Sequence, residues 1–158
     1  MTLHDGGVKV TIKRDHDTAT MLFDITKRYN ATVYGGYVNH LCSRRDVNYR
    51  DVDIACPDCN VGMLKKALAG ITGVSFHIIR FRPNYGIKDI LRLTDFSICR
   101  GILVGAGTAM VDRFYYDDDD NKTLRLRKRQ SIFKTLRRII KYFFRGYYRF
   151  TTQTEEIV

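Results

Sequence analysis

Two carboxylates one residue apart at the start of an apolar strand place the tightest constraint on this chain. In the run Arg50-Asp51-Val52-Asp53-Ile54-Ala55-Cys56, everything after Arg50 is apolar except Asp51 and Asp53. Side chains i and i+2 of a strand share a face. The two acids therefore project together, as hard oxygen ligands suited to Mg²⁺. Upstream, residues 31–34 read as a short apolar strand that breaks at Gly35-Gly36 and opens a short helix over 37–43. Glycines at such a turn let backbone approach a phosphate, and the N–H groups of a helix start then face it. Arg44, Arg45 and Arg50 occupy the loop between the two strands, where they are candidates for triphosphate or acceptor contact. Each piece also has a plainer reading alone: acids on an exposed strand, a tight turn, a solvated loop. Together they describe a phosphate cradle beside a metal clamp.

The flanking sequence predicts a mixed α/β body. Val8, Val10 and Ile12 alternate with polar residues, as in a half-exposed strand or an extended arm. Helical spacing predicts a helix over 18–29 that stops at Asn30, and a second over 61–68. Residues 74–81 are β-branched and aromatic, a third strand with Arg80 and Arg82 at its end and His77 read as a packed core histidine. Residues 87–93 fit helix or strand, 95–104 read as extended, 109–116 as strand, and Asp117–Asp120 as an acidic solvated turn. The predicted organisation is a body over 1–126, a basic amphipathic helix over 127–150 and a frayed polar tail over 151–158.

Charge narrows the partners. The chain of 158 residues carries a formal +10, which favours polyanions. Residues 122–149 contain eleven basic side chains and no acid. There Lys134, Arg137, Arg138, Lys141 and Arg145 lie on a helical face opposite Ile132, Phe133, Leu136, Ile139, Ile140, Phe143, Phe144 and Tyr147. The pattern predicts that the apolar face packs on the body while the basic face follows RNA phosphates, with Tyr142, Tyr147, Tyr148 and Phe150 stacking on bases. An anionic membrane surface needs the same pattern and is the alternative. A second copy or another protein on this helix is a further expectation. No run is long and apolar enough to span a membrane. Residues 1–13 show no signal-peptide core, so a cytoplasmic location is expected (the host cytoplasm, if the chain is phage-encoded). Cys42, Cys56, Cys59 and Cys99 read as free thiols. Cys56 and Cys59 have the spacing of half a zinc site, at a strand-to-helix turn where small residues are needed anyway.

Gly35-Gly36-Tyr37-Val38, a short helix, a basic loop and Asp51-Val52-Asp53-Ile54-Ala55 resemble the head domain of DNA polymerase β-type nucleotidyltransferases. Within that superfamily the pattern is most similar to tRNA CCA-adding enzymes and bacterial poly(A) polymerases. Asp95-Phe96-Ser97-Ile98 resembles a later motif of the same group, and 111–125 and 132–144 resemble the closing strand and first neck helix, in the same order. The resemblance implies a mixed β-sheet head domain with flanking helices, followed by the basic helix as a vestigial neck. It implies Mg²⁺ on Asp51 and Asp53, an NTP (ATP or CTP) against Gly35, Gly36, Arg44, Arg45, Arg50 and Asp95, and transfer of an NMP to an RNA 3′ end such as tRNA. Asn39, His40, Thr94 and Cys99 depart from the family pattern. These departures keep two rivals in play: a catalytically decayed nucleic-acid-binding or assembly subunit, and a toxin-like transferase acting on tRNA or a protein hydroxyl.

Overall fold

The computed structural model describes residues 7–157. In chain order the elements are β1 (Val8–Thr11), α1 (His16–Arg28), β2 (Thr32–Tyr34), α2 (Gly36–Cys42), β3 (Val52–Pro57), α3 (Val61–Leu68) and β4 (Phe76–Phe81). They continue with α4 (Ile87–Leu91), β5 (Ile102–Gly105), β6 (Thr108–Val111), α5 (Tyr115–Asp120), β7 (Thr123–Leu126), α6 (Ile132–Phe143) and β8 (Arg149–Thr152). The leaderless N-terminus expected from residues 1–13 falls partly outside the described residues.

Six strands form one mixed sheet in the order β1-β6-β5-β2-β3-β4. β2 and β3 are antiparallel, with Tyr34 opposite Asp53. β3 and β4 are parallel, joined over α3, with Asp53 opposite His77. Strand alternation divides the core into two layers. Val33, Val52, Ile54 and Cys56 face the larger one, with Ala19 and Leu22 of α1, Val38 and Leu41 of α2, and Leu64 of α3. Tyr34 and Ala55 face the other layer, with Ile90 and Leu91 of α4 and Ile102 and Met110 of the central strands. Asp51 and Asp53 share the Ala55 side of β3 and open on that second face.

Several expectations are corrected. The strand predicted over 109–116 ends at Val111, because Asp112 turns its carboxylate inward, taking the Phe114 N–H at 2.9 Å and pairing with Arg127. The acidic run is not a solvated turn. It forms α5 and buries Asp118 against Arg125 and Ser97, and Asp119 against Ser43 and Tyr147. Residues 95–104 are not extended throughout, since a short 3₁₀ turn, Ser97–Cys99, precedes β5. The C-terminal residues up to Ile157 are not frayed. β8 pairs in parallel with β7, and Glu155 bonds Arg100 and Arg127, which are fully buried.

Burial also settles thiol chemistry. Cys42, Cys56 and Cys99 are buried and Cys59 is exposed. Burial pushes the Cys42 thiol up to about 12 and the Cys99 thiol up to about 11, and the thiolate is the reactive form. In the native protein a disulfide reagent at neutral pH is expected to titrate one fast thiol, lost in Cys59→Ser. The other three should react only after denaturation.

Candidate active site

The two carboxylates open into a cavity of about 350 Å³ between the second face of the sheet and α6. Gly35, Gly36, Arg50, Asp51 and Asp53 line it from the β2–β3 side. Thr94, Asp95 and Cys99 line it from the segment after α4, Lys134, Arg138 and Lys141 from α6, and Arg145 from the turn that follows α6. The structure thus brings together ten of the thirteen residues singled out from sequence, drawn from three separated segments.

Local geometry explains the opening at the carboxylates. Gly35 has φ +84°, in a region where side chains are strained, and a Cβ there would lie 3.1 Å from Asp53 Oδ2. The missing side chain is the space in front of that oxygen. Asp53 Oδ1 lies 3.1 Å from His77 Nδ1 on the neighbouring strand. Burial pushes the Asp53 carboxyl up; the hydrogen bond and charge of His77 pull against that rise, and the charge of Asp51 adds to it. Two mutually repelling acids, one oxygen of which faces open space, fit a hard divalent cation. Among the described residues no group of three or more His, Cys, Asp or Glu gathers to cage an ion. Two carboxylates completed by substrate phosphates and water are nevertheless a set that Mg²⁺ commonly uses. Gly35→Ala is expected to lower stability by about 1–3 kcal/mol through the forced backbone conformation, read by denaturant unfolding. The same change should crowd Asp53 Oδ2.

The opposite wall is cationic. On a helix, positions 134, 138, 141 and 145 recur on one face. Arg138 is held by Asp95 through two bonds, Nε–Oδ2 2.8 Å and Nη2–Oδ1 3.0 Å, and Asp95 also accepts from Gln130. Asp95 is thus spent on fastening α6 to the body. Arg145 reaches to within 3.7 Å of where a side chain on Gly36 would begin. Burial, followed by the charges of Arg145 and Arg138, pushes the Lys141 ammonium down. Positive charge is crowded beside the two glycines.

No family model and no curated protein sequence matches the chain. Solved structures match it by shape. A tRNA-processing enzyme (apo form I) superposes with a TM-score of 0.61 at 20% identity, over 91% of this chain and 46% of that one. The Thermotoga maritima CCA-adding enzyme in complex with tRNA gives 0.58 at 20%, over 89% and 39%. A CCA-adding enzyme in complex with ATP gives 0.57 at 19%, over 80% and 36%. The fold is that of a nucleotidyltransferase head. This chain spans less than half the length of each of those proteins.

Three of the sequence-singled residues stand away from the cavity. Arg44 pairs with Asp120 and lies over the Tyr116 ring. Arg45 lies over the Tyr147 ring, near Asp119, and donates to the Arg145 carbonyl. The acidic helix α5 draws both toward itself. Arg137 is exposed on the outer side of α6. Arg80 and Arg82 pair with Asp58 and Asp89 and do not line the cavity either. Of the departures from the family pattern, Asn39 is buried between the Tyr115 and Tyr147 hydroxyls, and His40 bonds Asp15 and the Val47 carbonyl. Thr94 and Cys99 do line the cavity.

Two cavity residues carried another expected role. His77 is not a core histidine: its side chain is 61% exposed and meets Asp53. Alternation along β4 carried the signal, since His77 stands between Phe76 and Ile78 and so faces away from their core. Tyr142 does not present its ring for stacking. It is buried, with its hydroxyl 2.9 Å from Cys99 Sγ. Tyr147 is likewise buried, bonding Asp119 at 2.6 Å.

The expected orientation of α6 is reversed. Ser131 caps the helix, accepting from the Lys134 N–H. Gly146, at φ +97°, ends the turn that follows and lets Tyr147 return into the core. Between these anchors the cationic face meets the body, and most of the apolar face meets solvent. The Asp95–Arg138 pair and buried Tyr142 fix that rotation.

Proposed function

We propose that this chain is a Mg²⁺-dependent nucleotidyltransferase that moves a nucleoside monophosphate from an NTP to an RNA 3′ end, with tRNA the leading candidate acceptor. The observation that carries this reading is the convergence on one cavity of Asp51 and Asp53, the side-chain-free Gly35-Gly36 turn, and the cations Lys141 and Arg145. Solved structures of similar fold that contain ATP, CTP or tRNA support the substrate classes.

Asp51 and Asp53 would hold Mg²⁺, which when bound supplies charge stabilisation at the reacting phosphate. Gly35 and Gly36 let the triphosphate approach backbone. Lys141 of α6 and Arg145 just after it neutralise it, and Arg138, held by Asp95, fastens that helix to the body. The acceptor hydroxyl gives its proton to solvent as its oxygen bonds to the α-phosphorus, the α–β anhydride breaks, and pyrophosphate leaves with the electron pair of that bond. Arg50, 84% exposed at the cavity rim, is placed for the acceptor backbone. Catalysis of this type is positioning and preorganised charge.

The test is incubation of the full chain with α-labelled ATP or CTP, Mg²⁺ and total RNA. Label on RNA 3′ ends supports the reading. Label on protein, or none while RNA is still bound, overturns it in favour of the toxin-like or the decayed alternative. Charge-assisted hydrogen bonds are worth about 1.5–3 kcal/mol each. Lys141→Ala and Arg145→Ala are therefore each expected to raise KM for the NTP roughly 10- to 100-fold, measured by steady-state transfer.

A further inference from the structure

The cavity leaves the outer face of α6 unexplained. Ile132, Phe133, Leu136, Ile140, Phe143 and Phe144 are each 50–81% exposed, although they are large and apolar. They form a continuous helical stripe, and none of them lines the cavity that holds Asp51 and Asp53. A stripe of this size marks a contact surface.

Three features of the surroundings choose the occupant. Along one edge of the stripe the helix presents exposed Arg137, beyond which Lys134 and Lys141 turn to the cavity. Between Asp120 and Glu155 the chain has no acidic residue, and its overall charge is +10. The partner is therefore anionic, and a second copy would bring like charge onto like. Half of the stripe is aliphatic, from Ile132, Leu136 and Ile140, which offers no stacking surface to nucleic-acid bases. The stripe is also convex, on the outside of a helix whose inner face is fastened to the body by Asp95–Arg138. An amphipathic helix with an apolar stripe and a basic margin is suited to lie in a lipid interface.

We infer that α6 is a peripheral docking surface for an anionic lipid bilayer, lying in the plane of the interface with Phe133, Phe143 and Phe144 among the acyl chains. No helix of the described residues is long and apolar enough to cross a membrane, and this arrangement does not require one. It leaves the cavity side of α6 facing away from the lipid. The inference does not depend on the nucleotidyltransferase reading.

The experiment is flotation of the full chain with vesicles of phosphatidylcholine alone and of phosphatidylcholine with phosphatidylserine at a ratio of about 7:3, near 0.1 M salt. Surface cations each favour an anionic leaflet, so binding to the mixed vesicles is expected to be roughly 10-fold or more tighter. The double variant Phe133→Glu, Phe144→Glu changes exposed positions, so its melting temperature should match the parent while vesicle binding falls at least about 10-fold. Arg137→Glu should weaken binding to the anionic vesicles only. Three outcomes overturn the inference: no flotation, equal flotation with both compositions, or flotation unaffected by the Phe changes. Sedimentation showing a dimer that the double variant splits overturns it in favour of a second copy. RNA affinity lost in the double variant, without vesicle binding in the parent, overturns it in favour of RNA.

Discussion

Asp53→Asn is expected to lower nucleotidyl transfer by about 10³-fold, the scale of losing one preorganised electrostatic element of a reacting centre. The substitution keeps the shape of the side chain and an oxygen for His77, so the strand pairing of Asp53 with Tyr34 and His77 is retained. It removes the negative charge that would hold the cation. Burial and Asp51 both disfavour that charge in the folded state, so the variant should melt at the same temperature or higher. Single-turnover transfer measured beside thermal unfolding separates the two effects. Transfer within tenfold of the parent would place the reacting centre elsewhere.

The largest stability effect is expected at Asp112→Ala. Asp112 and Arg127 are both fully buried, with Nε–Oδ2 3.1 Å, and the second carboxylate oxygen takes the Phe114 N–H. Removing one partner of a buried ion pair leaves the other charge desolvated and uncompensated, at about 3–5 kcal/mol. Glu155 still bonds Arg127, but at a position 27% exposed, where solvent screens it. The cost is therefore expected toward the lower half of that range, read as a fall in the urea midpoint with little change in slope. The removed charge also ended β6 at Val111, so amide exchange should rise first in β6 and its partner β1.

Much of the sheet was legible in the residues themselves. Helix 61–68 and the strand around Asp53 follow from periodicity and punctuation, because neither needs more than local pattern and burial on one side. The common face of Asp51 and Asp53 follows from alternation alone. Asn30 ends α1 as expected, taking a left-handed conformation at φ 53°. The acidic run was misread because its sequence looks like a solvated turn. Its true partners, Ser43, Arg125 and Tyr147, lie up to 76 residues away. The same distance hid the fate of Arg44 and Arg45, whose loop position suggested the cavity while the charge of α5 pulled them off it.

By itself, then, the sequence determined the helix over 61–68, the strand around Asp53, the paired carboxylates and the strongly amphipathic helix near the C-terminus. These rest on spacing of two to four residues and on backbone preference. Tertiary structure alone decided which way that helix turns. An amphipathic pattern records two faces but not the neighbour of either. Packing every apolar side chain inward would have set Arg138, Lys141 and Arg145 against solvent. Instead Asp95 holds Arg138, Tyr142 fills the space beside Cys99, and the cations close over Gly35-Gly36 and Asp53. The phosphate cradle and metal clamp visible in the sequence gain their cationic wall from that rotation, and the same rotation exposes the apolar stripe.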